Sequence, residues 1–400
     1  KSRLCYEFKL GAQRDCLVLE TFSVSHGKAY PYLPLIELLK HYFQLGPEDD
    51  SRRRREQVTG KILTLERGLE DTLPYLLALL GDPGSIAALA PMDPQVRRRR
   101  TFEAINRVLL RESLGQPLLL LIEDLHWLDS ETDVWLQGLS ERIATARVLL
   151  LVNYRPEYQH AWGSKSYYTQ LRLDPLGPKE AQELLTALLG EGPDLAPLKQ
   201  LILARTEGNP FFMEEIVQAL VEQGVLVRLP AGGVTLASPT LAGSLTTLQL
   251  PATVQGLLAA RIDRLPADQK ALLQTLAVIG KEFALGLLRQ VVAQPEGELQ
   301  GQLSRLQAAE FLYERPAFPE PEYTFKHALT QEVAYNSLLL ERRRALHERT
   351  GQALETLYQG RLEERYPELA YHYSHSANTA KAIVYLERAG QQALQRSAYA

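Results

Sequence analysis

Two adjacent carboxylates, Glu123 and Asp124, follow five apolar residues without a polar break, within QPLLLLIEDLHWLD at positions 116–129. A short unbroken apolar run suits a strand buried on both faces, as in a parallel sheet. Gly115, Gln116 and Pro117 punctuate its start. Carboxylates at the carboxyl end of such a strand stand where open α/β sheets take their ligands. One acid can hold Mg²⁺ there and the next can orient a water. A core strand that exits into a solvated acidic turn has the same pattern, so the neighbouring sequence must decide.

Lys1-Ser2 has the ending of G-x-x-x-x-G-K-[ST], in which the lysine reaches the β/γ-phosphates and the hydroxyl holds Mg²⁺. On that reading the glycine-rich cradle lies just upstream, and residues 116–129 are the Walker B strand of a P-loop nucleotide-binding core. An arbitrary start of the sequence is the alternative. Residues 148–152, VLLLV, form another unbroken apolar strand and end in Asn153-Tyr154-Arg155-Pro156. A polar residue at that end is placed to sense a γ-phosphate. Arg155 is the better candidate, because a guanidinium pairs phosphate oxygens bidentately. A turn before Pro156 is the plainer account.

These groups need a parallel sheet to carry them, and the flanking sequence supplies its parts. Residues 16–21, CLVLET, read as a second buried strand, and 33–43 as an amphipathic helix after the break at Tyr30-Pro31-Tyr32. Residues 130–143 have helical spacing. Two arginine runs, 52–55 and 97–100, read as solvated helix faces; the second opens the helix that feeds the central strand, and one of its arginines could approach a phosphate or a neighbouring subunit. Beyond residue 171 the chain is mostly helical. Glu207-Gly208-Asn209-Pro210 joins a helical pair, with glycine free to take positive φ and proline opening the next helix. Residues 228–250 read as a linker or loose hairpin. Helices near 253–265, 267–279, 283–293 and 296–306 precede strands at 311–314 and 323–326 around PAFPEP, the pattern of a winged helix. Residues 366–375 and 380–397 read as an antiparallel helical pair with the small-residue spacing of a tetratricopeptide unit.

Length and composition set outer limits. Four hundred residues exceed one ordinary core. A net charge of −4 offers no global basic field for nucleic acid. Two cysteines, Cys5 and Cys16, make neither a disulfide framework nor a metal site and point to a reducing, cytoplasmic setting. No apolar run reaches membrane-spanning length. A first residue that is not Met, and a last that falls inside an apparent helix, read as an internal piece of a longer protein.

IEDLHWLD, NYRPE, EGNPFF and FKHALTQEVAY occur in this order and at similar spacing in signal-transduction ATPases with numerous domains, the STAND class of AAA-related P-loop NTPases. The sequence resembles most the ATPase modules that follow a class III adenylate/guanylate cyclase domain in large bacterial proteins. The resemblance implies an α/β P-loop NTPase core with a parallel sheet (residues 1–170), a helical lid (171–228), a linker (229–252), a winged helix (253–338), and a helical segment starting a tetratricopeptide-like array (339–400). It implies ATP/ADP and Mg²⁺ as cofactors. Lys1 and Ser2 would end the Walker A loop. Glu123 would hold Mg²⁺ with Ser2, and Asp124 would position the attacking water; Glu is a departure from the usual Asp, so the two acids could exchange roles. Arg155 matches the first sensor. Gly208 and Pro210 match the Gly-x-Pro element near adenine, and His327 the winged-helix histidine that contacts the ADP β-phosphate.

Such a protein would be an ATP/ADP-operated switch with slow hydrolysis. It would control an output domain of the same chain, a cyclase foremost, and take a protein or ligand on its repeats. Oligomerisation on activation would fit, with neither a membrane nor DNA contacted directly. An ATP-dependent transcriptional regulator with its DNA-binding domain elsewhere, or a nucleotide-free scaffold, are the other readings.

Overall fold

The structure, a computed structural model, describes residues 1–23, 30–46, 49–229, 234–237, 251–315 and 320–396. The chain divides into two units. One comprises Lys1–Leu171, Arg361–Tyr371 and Ala380–Ala400; the other comprises Arg172–Gly360 and His372–Thr379.

The first unit holds a parallel sheet in the order β1 (Leu17–Phe22), β2 (Leu118–Glu123), β3 (Val148–Val152). Leu17 pairs with Leu118 and Phe22 with Glu123; Leu118 pairs with Val148 and Ile122 with Val152. All six residues of β2 are buried, which is why its sequence shows no polar alternation. The outer strands differ from the expectation of buried strands. β1 is half-buried, and Leu149 of β3 is 50% exposed, because each pairs along a single edge.

Helices α1 (Ser2–Ala12), α2 (Leu33–Phe43), α3 (Ser51–Leu65), α4 (Leu73–Leu79), α5 (Pro83–Leu89), α6 (Pro94–Gly115) and α7 (Ser130–Arg142) accompany the sheet. Tyr32, Leu38, Val108, Leu136 and Leu139 pack with Leu19, Leu120 and Ile122 into one core. Each fully buried leucine contributes roughly 1.5–3 kcal/mol against exposure. Asp129 caps α7 by accepting from the backbone N–H groups of Glu131 and Thr132 at 3.1 and 3.0 Å, and it also accepts from Tyr32 N–H at 3.0 Å. The loop that ends β2 is thereby tied to the start of α2.

The second unit begins with α8 (Pro178–Leu189), α9 (Ala196–Thr206) and α10 (Pro210–Glu222), packed through Leu185, Leu198, Ile202, Met213, Ile216 and Leu220. An antiparallel pair follows, β4 (Leu226–Arg228) with β5 (Val234–Leu236). Of the expected linker, residues 230–233 and 238–250 lie outside the described residues, and the rest contributes strand β5.

Helices α11 (Val254–Arg264) and α12 (Ala267–Ile279) come next. The helix expected from residue 283 starts instead as strand β6 (Glu282–Ala284), and helix α13 covers only Leu285–Val292. The reason is pairing: β6 joins β8 (Glu322–Phe325), with α14 (Glu296–Ala308) and β7 (Leu312–Arg315) between them in the chain, in the antiparallel order β6-β8-β7. Residues 316–319 of the PAFPEP turn lie outside the described residues.

Helices α15 (Ala328–Asn336) and α16 (Leu340–Leu357) close that run, and α17 (Tyr366–Ser374) and α18 (Thr379–Gln395) follow. Among the described residues no single helix is long and apolar enough to cross a membrane.

Candidate functional site at the carboxyl end of the parallel sheet

Parallel register brings the ends of β2 and β3 side by side, and Asn153 uses the proximity. Its Nδ2 donates to Glu123 Oε2 at 2.9 Å, and its Oδ1 accepts from the Asp124 backbone N–H at 2.9 Å. Its own carbonyl accepts from Leu125 N–H at 3.0 Å. The amide orientation follows from the partners, since a carboxylate can only accept and a backbone N–H can only donate. Asn153 and Glu123 are both buried, so the Nδ2 bond restrains the Glu123 carboxylate and the other two fix the asparagine that makes it. The sequence reading favoured Arg155 as the sensing residue; Arg155 is exposed, and Asn153 is the residue bonded to both acids.

Asp124 adopts φ +58, ψ +46, the left-handed region. That conformation costs an L-residue roughly 1–2 kcal/mol, least for Asp and Asn. It turns the chain off β2 sharply into the one-turn helix Leu125–Trp127. Non-glycine residues held this way cluster at binding and catalytic sites.

Helix α1 lies against the same end. Cys5 is buried, and its Sγ accepts from Asn153 Nδ2 at 3.6 Å; burial pushes the thiol pKa up. Lys1 Nζ donates to the Tyr154 carbonyl at 2.5 Å. The side chain of Ser2, which the sequence assigned to Mg²⁺, lies outside the described residues.

His126, in the middle of the IEDLHWLD stretch, reports how close these groups come. Burial lowers its pKa; Asp124 pulls it up, while Arg155 and Lys1 push it down. Lys1, Asp124 and Arg155 therefore share one electrostatic neighbourhood. Both His126 ring nitrogens are buried without a hydrogen-bond partner. Sequence reasoning passed over His126 and gave Asn153 second place. The signal for Asn153 was present, a polar residue directly after the last apolar residue of a parallel strand.

Two adjacent carboxylates with a lysine nearby fit Mg²⁺ and phosphate. Mg²⁺ takes hard oxygen donors, commonly one or two carboxylates with water and phosphate oxygens completing the shell. Asn153 engages one Glu123 oxygen by a hydrogen bond and leaves the other oxygen for a ligand.

The remaining sequence candidates lie in the second unit, and the structure accounts for each locally. Gly208 has φ +81, and a Cβ there would stand 2.3 Å from the Leu176 carbonyl oxygen. The close approach is itself a hydrogen bond, Leu176 N–H to Gly208 carbonyl at 2.8 Å. Pro210 is the first residue of α10, capped by Asn209 accepting from Phe212 N–H at 3.2 Å. His327 caps α15, its Nδ1 accepting from Leu329 N–H at 3.0 Å, and its ring stacks on Phe211 at 4.1 Å between centroids. The EGNPFF and FKHALT stretches thus meet through Phe211 and His327. An Nδ1 that accepts carries no proton, so Nε2 carries it and is a donor.

Comparison with known proteins adds the following. Residues 1–152 match the family described as AAA ATPase domain. An uncharacterized protein of Rhizobium meliloti (strain 1021) is 29% identical over 280 residues, covering 68% of this chain and 25% of the relative; the chain thus spans a quarter of that protein's length. Among solved structures, a signal-transduction ATPase with numerous domains and a tetratricopeptide repeat sensor, from Pyrococcus horikoshii, is similar at 13% identity and a TM-score of 0.45. That similarity covers 96% of this chain and 57% of the other.

Proposed function

We propose that the chain is the ATP/ADP-operated switch of a STAND-class signalling protein, binding Mg-nucleotide at the carboxyl end of its parallel sheet and hydrolysing it slowly. The observation that carries the reading is the Glu123 carboxylate held by Asn153, which also accepts from the backbone N–H of the adjoining Asp124, with Lys1 bonded to the next residue of β3's end. The match of residues 1–152 to the AAA ATPase domain supports it independently.

In this reading Glu123 and the Ser2 hydroxyl would hold Mg²⁺, whose charge would neutralise the phosphates. Lys1 reaches the phosphates as a point charge. Asp124 accepts a proton from the attacking water, and its left-handed backbone turns the chain off β2 at that point. Asn153 keeps the acids in register, and Arg155 supplies a second cation. His327 is a donor suited to a phosphate oxygen, and Gly208-Asn209-Pro210 a rigid turn suited to the base. Nucleotide state would bias an output domain elsewhere in the protein, a class III cyclase by the resemblance of the motifs, with the repeat segment as the receiver of a protein or small ligand. Coupling of this kind is typically about 1–3 kcal/mol, a graded bias.

The test is a pair of substitutions in the full-length protein. Asp124→Asn keeps the shape and removes the acceptor, so phosphate release falls about 100-fold or more while Mg-ATP affinity is retained. Glu123→Gln weakens Mg²⁺-dependent binding itself. The reverse pattern exchanges the two roles, and wild-type protein that binds no nucleotide overturns the reading.

A further inference from the structure

One face of α10 meets the rest of the second unit through charge. Phe211, Glu214, Glu215, Gln218 and Glu222 recur at helical spacing and share that face. Arg261 of α11 is wholly buried against it. Its guanidinium donates to Glu215, to the two Glu222 oxygens at 3.1 and 3.0 Å, and to the Ala309 carbonyl at 2.7 Å.

Lys326, directly after β8, has a side chain only 11% exposed. Its Nζ stands 2.7 Å from Glu310, 3.6 Å from Glu214 and 3.8 Å from Glu215, and its backbone N–H donates to the Phe311 carbonyl at 3.0 Å. Glu310 also receives Arg228 at 2.9 Å. Arg261 and Lys326 thus each serve more than one acid. Exposed ion pairs contribute little, but a buried carboxylate stripped of its cation is costly. Lys326 therefore ties its stretch of chain to α10.

The next residue is His327. It is exposed, and its ring stacks on Phe211, about one helical turn from Glu214 and Glu215. Two consecutive residues thus grip one helix, one by charge and one by ring contact. His327 also caps α15 through the Leu329 N–H.

We propose that Lys326 is a positioning residue for His327: by tying the start of α15 to α10 it fixes the imidazole that the switch reading directs at an ADP phosphate oxygen. The identity of the ligand rests on that reading; the positioning rests on the ion cluster. Lys326 acts through His327 and touches no nucleotide itself.

Three variants of the intact protein test this. Lys326→Met removes the charge and keeps the stem. Lys326→Met with Glu310→Gln also removes an acid left uncovered, and serves if the single variant folds poorly. Lys326→Arg keeps the charge. Calorimetry gives ADP and ATP affinities with Mg²⁺, hydrogen exchange reports the amides of residues 327–331, and melting temperature is followed beside them. In both Met variants ADP affinity falls about tenfold while ATP stays within about twofold, the loss expected when a charge-assisted hydrogen bond to phosphate goes out of place. Exchange over residues 327–331 accelerates about tenfold, and Lys326→Arg restores both measures. Lys270→Met, whose partner Asp263 is exposed, leaves the affinities within about twofold. Equal weakening of ADP and ATP, or unchanged exchange over residues 327–331 in the double variant, would overturn the proposal. His327→Ala in parallel separates the two readings. If it leaves ADP affinity unchanged, the phosphate role of His327 fails, and the exchange measurement still decides whether Lys326 holds the segment.

Discussion

Consecutive arginines can have unrelated fates. Arg97 is buried and donates to the Leu89 carbonyl at 3.2 Å and to the Leu394 carbonyl at 3.3 Å. Arg98 pairs with Glu131, Arg99 lines a cavity between α6 and α7, and Arg100 approaches Glu103 at 3.7 Å. A helix turns 100° per residue, so four neighbours meet four environments. The run was legible as charge and illegible as roles. Gly208 is the opposite case. Its positive φ and the backbone only 2.3 Å from a would-be Cβ leave no alternative residue. Gly208→Ala is expected to destabilise the second unit by about 2 kcal/mol or more, the left-handed cost plus displacement of the Leu176 backbone. A chemical denaturation midpoint measures it, and an unchanged midpoint would mean that the turn relaxes freely.

At the scale of elements, caps and cross-helix pairs organise what helix propensity leaves loose. Asp82 caps α5 by accepting from Ser85 N–H at 2.8 Å and receives the Arg55 guanidinium of α3 at 2.7 and 2.9 Å. Burial pushes its carboxyl pKa up, while Arg55 and Ser85 bring it down, and the net shift is downward. A carboxylate depressed in the native state stabilises fully above its unfolded pKa, about 3.9, and loses that contribution as pH falls through the native value. Melting temperature is therefore expected to drop below about pH 4, and Asp82→Asn should start lower at pH 6 and lose less on acidification. Parallel acid profiles of the two proteins would remove Asp82 from this role. The other arginine run behaves alike: Arg52, Arg53, Arg54 and Arg55 each face an acid, so it is a paired helix face.

For the whole molecule, the first unit is closed by residues far along the chain. The Tyr30 hydroxyl donates to the Pro367 carbonyl, Arg54 pairs with Glu364 at 2.7 Å, and Ala393 packs on the sheet's core cluster. Ending the chain at Gly360 is expected to accelerate amide exchange in β1 and α2 about tenfold or more, although neither element is touched, because about 1.4 kcal/mol or more of tertiary support is removed. Unchanged protection would show that residues 361–396 are bystanders to that fold.

What the sequence determined by itself is what local pattern can encode. β2 was readable because a strand buried on both faces must be apolar throughout. The turn glycine was readable because few residue types take a positive φ against a backbone that close. The helix at 267–279 carried its own periodicity and ends on Gly280 as the pattern requires. Tertiary structure decided the rest. β6 formed where a helix was expected because β8, about forty residues later, offered a partner edge. Asn153 came to hold the Glu123 carboxylate and the Asp124 backbone N–H only once parallel register set β3 beside β2, since hydrogen bonds across strands depend on which residues are opposite. Lys326 reaches the acids of α10 only as a consequence of packing elements far apart in the chain, and no spacing along the sequence announces that contact.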